Sequence, residues 1–342
     1  MLEIQDLHVK FHNRDREAVA GISLTIRDGE ILGLVGESGS GKTVTAMSIA
    51  GLLPKKQCDC SGQILLDGQD LLHAERSELR KLLGRKIGVV FQEPMSAMDP
   101  LMRVGEQVGE VLRIHTDLSR PERRRLALQA MEAVELPEVE TVYEKYPHEL
   151  SGGMLQRAMI AAAIVIEPSL LLLDEPTTAL DVTIQARILE LIMDIQKKMK
   201  LSVIYITHDL GVVAKVADYV DVMYAGKIVE VGNVNEIFYE PKHPYTWGLL
   251  SAMPDLDTDD DRLYSIPGSP PNLLHEPQGD AFAARNPFAL AIDEKAEPPL
   301  FQVSRTHFAA TWLLHPDAPK IEMPKELEAR LERARKEVEK YL

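Results

Sequence analysis

The stretch Ile31-Leu32-Gly33-Leu34-Val35-Gly36-Glu37-Ser38-Gly39-Ser40-Gly41-Lys42-Thr43 decides the fold. Its first five residues read as a strand buried on both faces, the pattern of a parallel sheet. They run directly into Gly36 to Thr43, which fits G-x-x-x-x-G-K-[ST]. Gly36, Gly39 and Gly41 let the backbone wrap closely around a phosphate, and Ser38 and Ser40 lie between them. The N–H groups of such a loop point inward, and the helix predicted over 41–52 adds its positive N-terminal end. Lys42 is then expected on the β- and γ-phosphates of a nucleotide, and the Thr43 hydroxyl on Mg²⁺.

A second apolar run, Leu170-Leu171-Leu172-Leu173, delivers Asp174 and Glu175 at its C-terminal end. That edge of an open α/β sheet is where ligands bind. Asp174 is expected to hold Mg²⁺ through water, and Glu175 to polarise an attacking water as a general base. His208, after Val203-Ile204-Tyr205-Ile206-Thr207, ends another strand at the same edge, in reach of a γ-phosphate. Gln92, after Ile87-Gly88-Val89-Val90-Phe91, ends a further one and can reach both the metal and the attacking water.

Around these strands the chain has the composition of an ordinary globular protein, with 342 residues, 45% hydrophobic and 27% charged. A net charge of −15 argues against a broad nucleic-acid surface, which needs concentrated Lys and Arg. The apolar segment 158–173 is broken by Glu167-Pro168-Ser169 before it could span a bilayer. The N-terminal residues read as a strand and not as a signal peptide, so a cytosolic protein is expected. Cys58 and Cys60 are one residue apart, a spacing that disfavours a mutual disulfide; they read as reduced thiols in a loop.

The first ninety or so residues read mainly as strands, with period-two alternation at 2–4, 7–11 and 22–26. Between about 93 and 166 the character becomes helical, including a Ser119-x-x-Glu122 capping box with Pro121 in the first turn. Strands over 202–207 and 219–224 follow, which indicates an α/β core with a mostly parallel sheet and an inserted helical subdomain. After about 253 come an acidic linker (253–262), the rigid turn Ile266-Pro267-Gly268-Ser269-Pro270-Pro271-Asn272, and a charged terminal helix from Pro324. Leu327, Leu331, Ala334 and Val338 form a narrow apolar stripe on that helix, as expected of a docked terminal element.

With these parts in order, the chain resembles an ABC-type ATPase over residues 1–252. The most specific piece is Leu150-Ser151-Gly152-Gly153-Met154, which matches the signature motif of that family. Thr177-Thr178-Ala179-Leu180-Asp181 matches its D-loop. The resemblance implies a P-loop NTPase core with an N-terminal antiparallel β part. It also implies ATP and Mg²⁺ as ligands, with Thr45 among the nucleotide-binding residues of the loop. Phe11 lies where the family places an aromatic to stack on adenine, with His12 as the neighbouring alternative. The family arrangement further implies that Ser151, Gly152 and Gly153 contact the γ-phosphate held by the other subunit of a head-to-tail pair. Each chain then supplies halves of two sites.

The finer resemblance is to the oligopeptide/dipeptide importer branch, carried by FQEPMSAMDPLMRVGEQ from Phe91, LSGGMLQRAMIA from Leu150 and HPYTWGLLSAMP from His243. It implies a C-terminal extension over 253–342 and a place on the cytoplasmic face of the cell membrane. The implied partners are two membrane-spanning permease subunits, a related second ATPase in a heterodimer, and an extracellular peptide-binding protein. Many members of the branch hold an iron–sulfur cluster on four cysteines of this extension. The corresponding positions here are Asp280, Asn286, Asp293 and Thr311, so no cluster is expected, and the extension is expected to be held by Phe282, Phe288, Phe301 and Trp312. A dipeptide or nickel importer is an alternative cargo assignment, and a soluble ABC ATPase acting on ribosomes or DNA a distant alternative.

Overall fold

The computed structural model describes residues 1–342 apart from 55, 179, 254–264, 272–277 and 340–342; for 76 and 337–339 it describes the backbone alone. All but the first residue of the expected acidic linker lies outside the described residues.

Two sheets carry the chain. The smaller has the order β2-β1-β4-β5, from β1 (Leu2–Phe11), β2 (Val19–Ile26), β4 (Cys58–Leu66) and β5 (Gln69–Asp70), all antiparallel. The larger has the order β11-β12-β10-β9-β3-β8-β7-β6. Its parallel part comprises β3 (Ile31–Val35), β6 (Ile87–Val90), β7 (Leu170–Asp174), β8 (Ser202–Thr207) and β9 (Tyr219–Tyr224). An antiparallel edge follows in β10 (Lys227–Asn233), β12 (Phe308–Ala309) and β11 (Phe301–Gln302).

The apolar runs behave as strands buried on both faces should. Leu32, Leu34, Leu170, Leu172, Ile204 and Ile206 face the antiparallel sheet and the helix Lys42–Ile49. Their alternates Ile31, Val35, Leu171, Leu173, Val203 and Tyr205 face the other side, where the helix Leu210–Val216 packs on β3 and β8 and the helical block packs on β6. That block consists of short helices followed by Arg120–Ala133, Val139–Glu144 and Gly152–Ile164. Its capping box forms, with the Ser119 N–H donating to Glu122 Oε2 at 2.9 Å.

Four local differences from the sequence reading have physical causes. The runs at 2–4 and 7–11 are one strand, because a bulge at Asp6 (φ 49°) moves the buried set from Leu2 and Ile4 to Leu7 and Val9. The helix after the phosphate loop stops at Ile49 and not near Leu52, since Gly51 turns the chain at φ 61°. A helix at Arg76–Leu82 interrupts the expected strands; Leu79, 6% exposed, is its buried anchor. The two cysteines sit on β4 and not in a loop, both as free thiols.

The extension is bound to the cassette by backbone pairing as well as by packing. β12 pairs with β10 through Glu230↔Ala309 and Val231↔Phe308. Phe282, 1% exposed, meets Tyr224 edge-on at 5.2 Å and Tyr245 at 5.3 Å between centroids. Phe288 packs edge-on against Trp247, and Phe301 against Trp312. The terminal helix Lys325–Glu339 buries Leu327 and Leu331, whereas Ala334 is exposed; the side chain of Val338, the last of the expected stripe, lies outside the described residues. Arg330 anchors it further by donating to the carbonyls of Leu250 and Met253.

Candidate active site

Because β3, β8, β7 and β6 are neighbours and parallel, their C-terminal ends bring four sequence-distant segments to one edge. There a cleft of about 1140 Å³ is lined by the phosphate loop, Gln92, Glu175, His208 and the end of β1. Gly36 is obligatory in that loop: a Cβ there would lie 2.1 Å from the Met223 carbonyl oxygen. Gly41, at φ 107°, would place a Cβ 2.7 Å from the Ala18 carbonyl oxygen.

Lys42 is buried beneath the loop, with its ammonium donating to the carbonyls of Gly36 (2.6 Å) and Glu37 (2.9 Å) and to the Ser40 hydroxyl (3.4 Å). Burial pushes its pKa down, opposed by the charges of Glu175, Asp174 and Glu37. Ser38 and Gly39 are exposed on the cleft rim. Thr45 is fully buried one turn into the helix, where its hydroxyl donates back to the Gly41 carbonyl at 3.1 Å.

Thr43 Oγ1 donates to Asp174 Oδ1 at 3.3 Å, joining the loop to the end of β7. Burial raises the Asp174 pKa, with the Thr43 bond opposing and the Glu175 charge adding. These two side chains offer hard oxygen donors side by side, which fits a magnesium ion that keeps several of its waters.

Glu175 is the hub of the cleft. Its Oε2 accepts from Gln92 Nε2 at 3.2 Å and from Thr178 Oγ1 at 3.0 Å, and His208 Nδ1 lies 3.2 Å away. Its backbone is in the left-handed region at φ 46°, a costly conformation for a glutamate, held by an N–H bond to the Ile206 carbonyl at 2.9 Å. The turn aims the carboxylate across the strand ends toward Gln92 and His208. Phe11 is half-buried on the opposite wall, with the Arg14 guanidinium 6.0 Å from its ring centroid and His12 beside it in the lining.

Ser151, Gly152, Gly153 and Asp181 do not line this cleft. They form a second patch: a Cβ on Gly152 would lie 3.7 Å from Leu180, and one on Gly153 3.0 Å from Ile184. Ser151 Oγ caps the helix Gly152–Ile164 by accepting from Met154 N at 3.4 Å. Asp181 caps the helix Val182–Met199 by accepting from Ile184 N at 2.9 Å. The positive ends of two helices are thus presented together, away from the chain's own phosphate loop.

Two features of the site escaped the sequence. Thr178 was readable, lying three residues past Glu175 in a turn. The bidentate pair between Arg285 and Glu37 spans 248 positions and leaves no local signal.

In the extension, Asp280, Asn286, Asp293 and Thr311 are all buried, at 8%, 9%, 2% and 2% exposure. Each side chain accepts a local backbone N–H on one oxygen. Asp280 accepts from Phe282 N (2.9 Å), Asn286 from Phe288 N (3.0 Å), Asp293 from Leu290 N (2.5 Å) and Thr311 from Leu313 N (3.3 Å). Four hydrogen-bonded oxygens do not fit an iron–sulfur cluster, which requires thiolate ligands.

A phosphate loop after β3, an acidic pair at the end of the parallel strand β7 two places along the sheet and a separate Ser-Gly-Gly helix start define a nucleotide-hydrolysing cassette. Comparison with known proteins names it: the chain belongs to the ABC transporter family, with residues 19–178 matching ABC transporter and 229–292 the oligopeptide/dipeptide transporter C-terminal region. It is 49% identical over 344 residues to the oligopeptide transport ATP-binding protein OppD of Bacillus subtilis, covering 99% of this chain and 96% of that protein. It is 51% identical to the dipeptide transport ATP-binding protein DppD of Lactococcus lactis, covering 94% and 93%. Among solved structures, the ATP-binding cassette MJ0796, a dimer in a post-hydrolysis state bound to ADP and Pi, is similar at a TM-score of 0.61 and 28% identity. That match covers 68% of this chain and 99% of MJ0796. The chain is accordingly an ATPase of ABC type. Among the described residues no helix is long and apolar enough to cross a membrane.

Proposed function

We propose that this chain energises the import of oligopeptides, as a peripheral subunit on the cytoplasmic face of the cell membrane. Its partners would be two permease subunits, a related second ATPase and an extracellular peptide-binding protein. The observation that carries the reading is the division of the phosphate-handling groups. Lys42, Thr43 and Glu175 line one cleft, with Asp174 bonded to Thr43, while Ser151, Gly152 and Gly153 present a helix start elsewhere.

On this reading Lys42 exchanges its loop carbonyls for the β- and γ-phosphates of ATP. Phe11 offers its ring to the adenine. Thr43 and Asp174, with Gln92, would hold Mg²⁺, which when bound neutralises charge on the phosphates. Glu175 takes the proton of the attacking water. Gln92, bonded to the carboxylate, and His208, 3.2 Å from the same oxygen, fix its direction. Ser151, Gly152 and Gly153 complete the site of the second ATPase, and Asp181 braces the same patch. ATP then lies between two subunits, and its hydrolysis releases them. The similarity to MJ0796, solved as a dimer, supports a paired arrangement, and the resemblance to the oligopeptide/dipeptide importer branch implies that the two ATPases differ. Relatives named for oligopeptide and for dipeptide transport both resemble the chain, so the peptide class rests on the oligopeptide relative that spans nearly its whole length. No iron–sulfur cluster takes part in this scheme.

The test is Glu175→Gln in the full chain. The amide keeps the hydrogen-bonding shape but cannot take a proton. ATP binding is expected to persist while turnover falls by about 10²–10⁴-fold. Normal hydrolysis by the variant would overturn the assignment.

A further inference from the structure

The extension reaches the phosphate loop itself. Glu37 lies one residue past the first loop glycine and lines the cleft at 27% side-chain exposure. Arg285 grips its carboxylate with two parallel bonds, of 2.5 Å to Oε2 and 3.0 Å to Oε1. The guanidinium is only 5% exposed and is fixed on its other sides. Nε donates to the Pro267 carbonyl at 2.9 Å and NH1 to the Tyr224 hydroxyl at 3.3 Å. The Glu37 backbone N–H donates independently to the Tyr245 hydroxyl at 2.8 Å. Pro270 and Pro271 close a small cavity of about 140 Å³ against Ser38, Gly39 and Ser40. The loop is therefore backed by residues that lie after the cassette in sequence.

The charges explain why such backing matters. An ionised carboxylate beside a triphosphate repels it, and a bidentate arginine both cancels that charge and fixes the carboxylate's direction. We propose that Arg285 is a positioning residue for ATP binding: by neutralising Glu37 and bracing the phosphate loop from behind, it makes attachment of the extension a determinant of nucleotide affinity. The inference rests on the reading of Gly36 to Thr43 as the phosphate site.

The experiment measures binding of a fluorescent ATP analogue to the purified full chain. Lys42→Ala checks the underlying reading, because it should abolish tight binding. Arg285→Met leaves the Glu37 charge uncancelled and should weaken binding about tenfold, a loss of the size expected for one unscreened charge near the phosphates. The double variant Glu37→Gln/Arg285→Met removes that charge and should recover most of the loss, to within about threefold of Glu37→Gln alone. A structural role alone would move the urea midpoint of Arg285→Met without such recovery, so both quantities are recorded. Wild-type affinity in Arg285→Met, or a double variant as weak as Arg285→Met, overturns the proposal. Retained binding in Lys42→Ala would instead remove the reading of the loop.

Discussion

Asp280→Asn should make the protein more stable, and only above about pH 4. Asp280 lies in the extension, buried at 8% exposure. Burial raises its pKa from the ordinary 3.8 to about 6, against the Phe282 N–H bond; the charges of Asp293 and Glu297 add to the rise and Lys227 opposes it. Because the folded value is raised, the folded chain binds a proton more tightly than the unfolded chain between those two values. Stability is fully present below pH 3.8 and falls as pH rises through 6. Each step of one in pKa is worth about 1.4 kcal/mol, so the ionised carboxylate costs up to about 3 kcal/mol at neutral pH. Asparagine keeps the oxygen that receives the Phe282 N–H and cannot ionise. Urea denaturation of the wild-type and variant chains at pH 4 and pH 7.5 reads the difference. The variant should gain up to about 3 kcal/mol at pH 7.5 and almost nothing at pH 4. An equal difference at both pH values, or a less stable variant at pH 7.5, would refute the reasoning.

Two further outcomes test the packing of the loop and of the extension. Gly36→Ala forces a methyl to within 2.1 Å of the Met223 carbonyl oxygen, so the loop must shift and ATP-analogue binding should fall by at least about tenfold, with circular dichroism little changed. Phe282→Ala removes a ring that is 1% exposed and touches Tyr224, Tyr245 and His243, and should cost about 3–5 kcal/mol in urea denaturation; a loss below about 1 kcal/mol would show that these rings do not hold the extension.

The strands Ile31–Val35, Ser202–Thr207 and Tyr219–Tyr224 were legible to the residue because short, mostly apolar runs bounded by turn signals have few alternatives to a buried strand, even with Asp221 inside the last. The clustering of Lys42, Glu175, Gln92 and His208 was legible too, since each follows such a run and parallel strands end together. Features that depend on partners distant in sequence were not. β11 and β12 are two residues each, and only the pairing of β12 with β10 and of β11 with β12 makes them strands. The bulge at Asp6 is hidden because both halves of β1 alternate correctly on either side of it. Arg285 looks like any arginine beside a loop until folding brings Glu37 to it. The helix Arg76–Leu82 has one deeply buried leucine, too little apolar periodicity to announce itself.

The pairing of β12 with β10 also bears on how the chain is made. Synthesis runs from the N-terminus, so the cassette emerges well before Phe308 and Ala309. During that interval β10 offers unpaired N–H and C=O groups along the rim of the large sheet, an invitation to strand addition by another nascent chain. The arrival of β12 ends that exposure, and a chain that terminates before Phe308 is left with an adhesive edge.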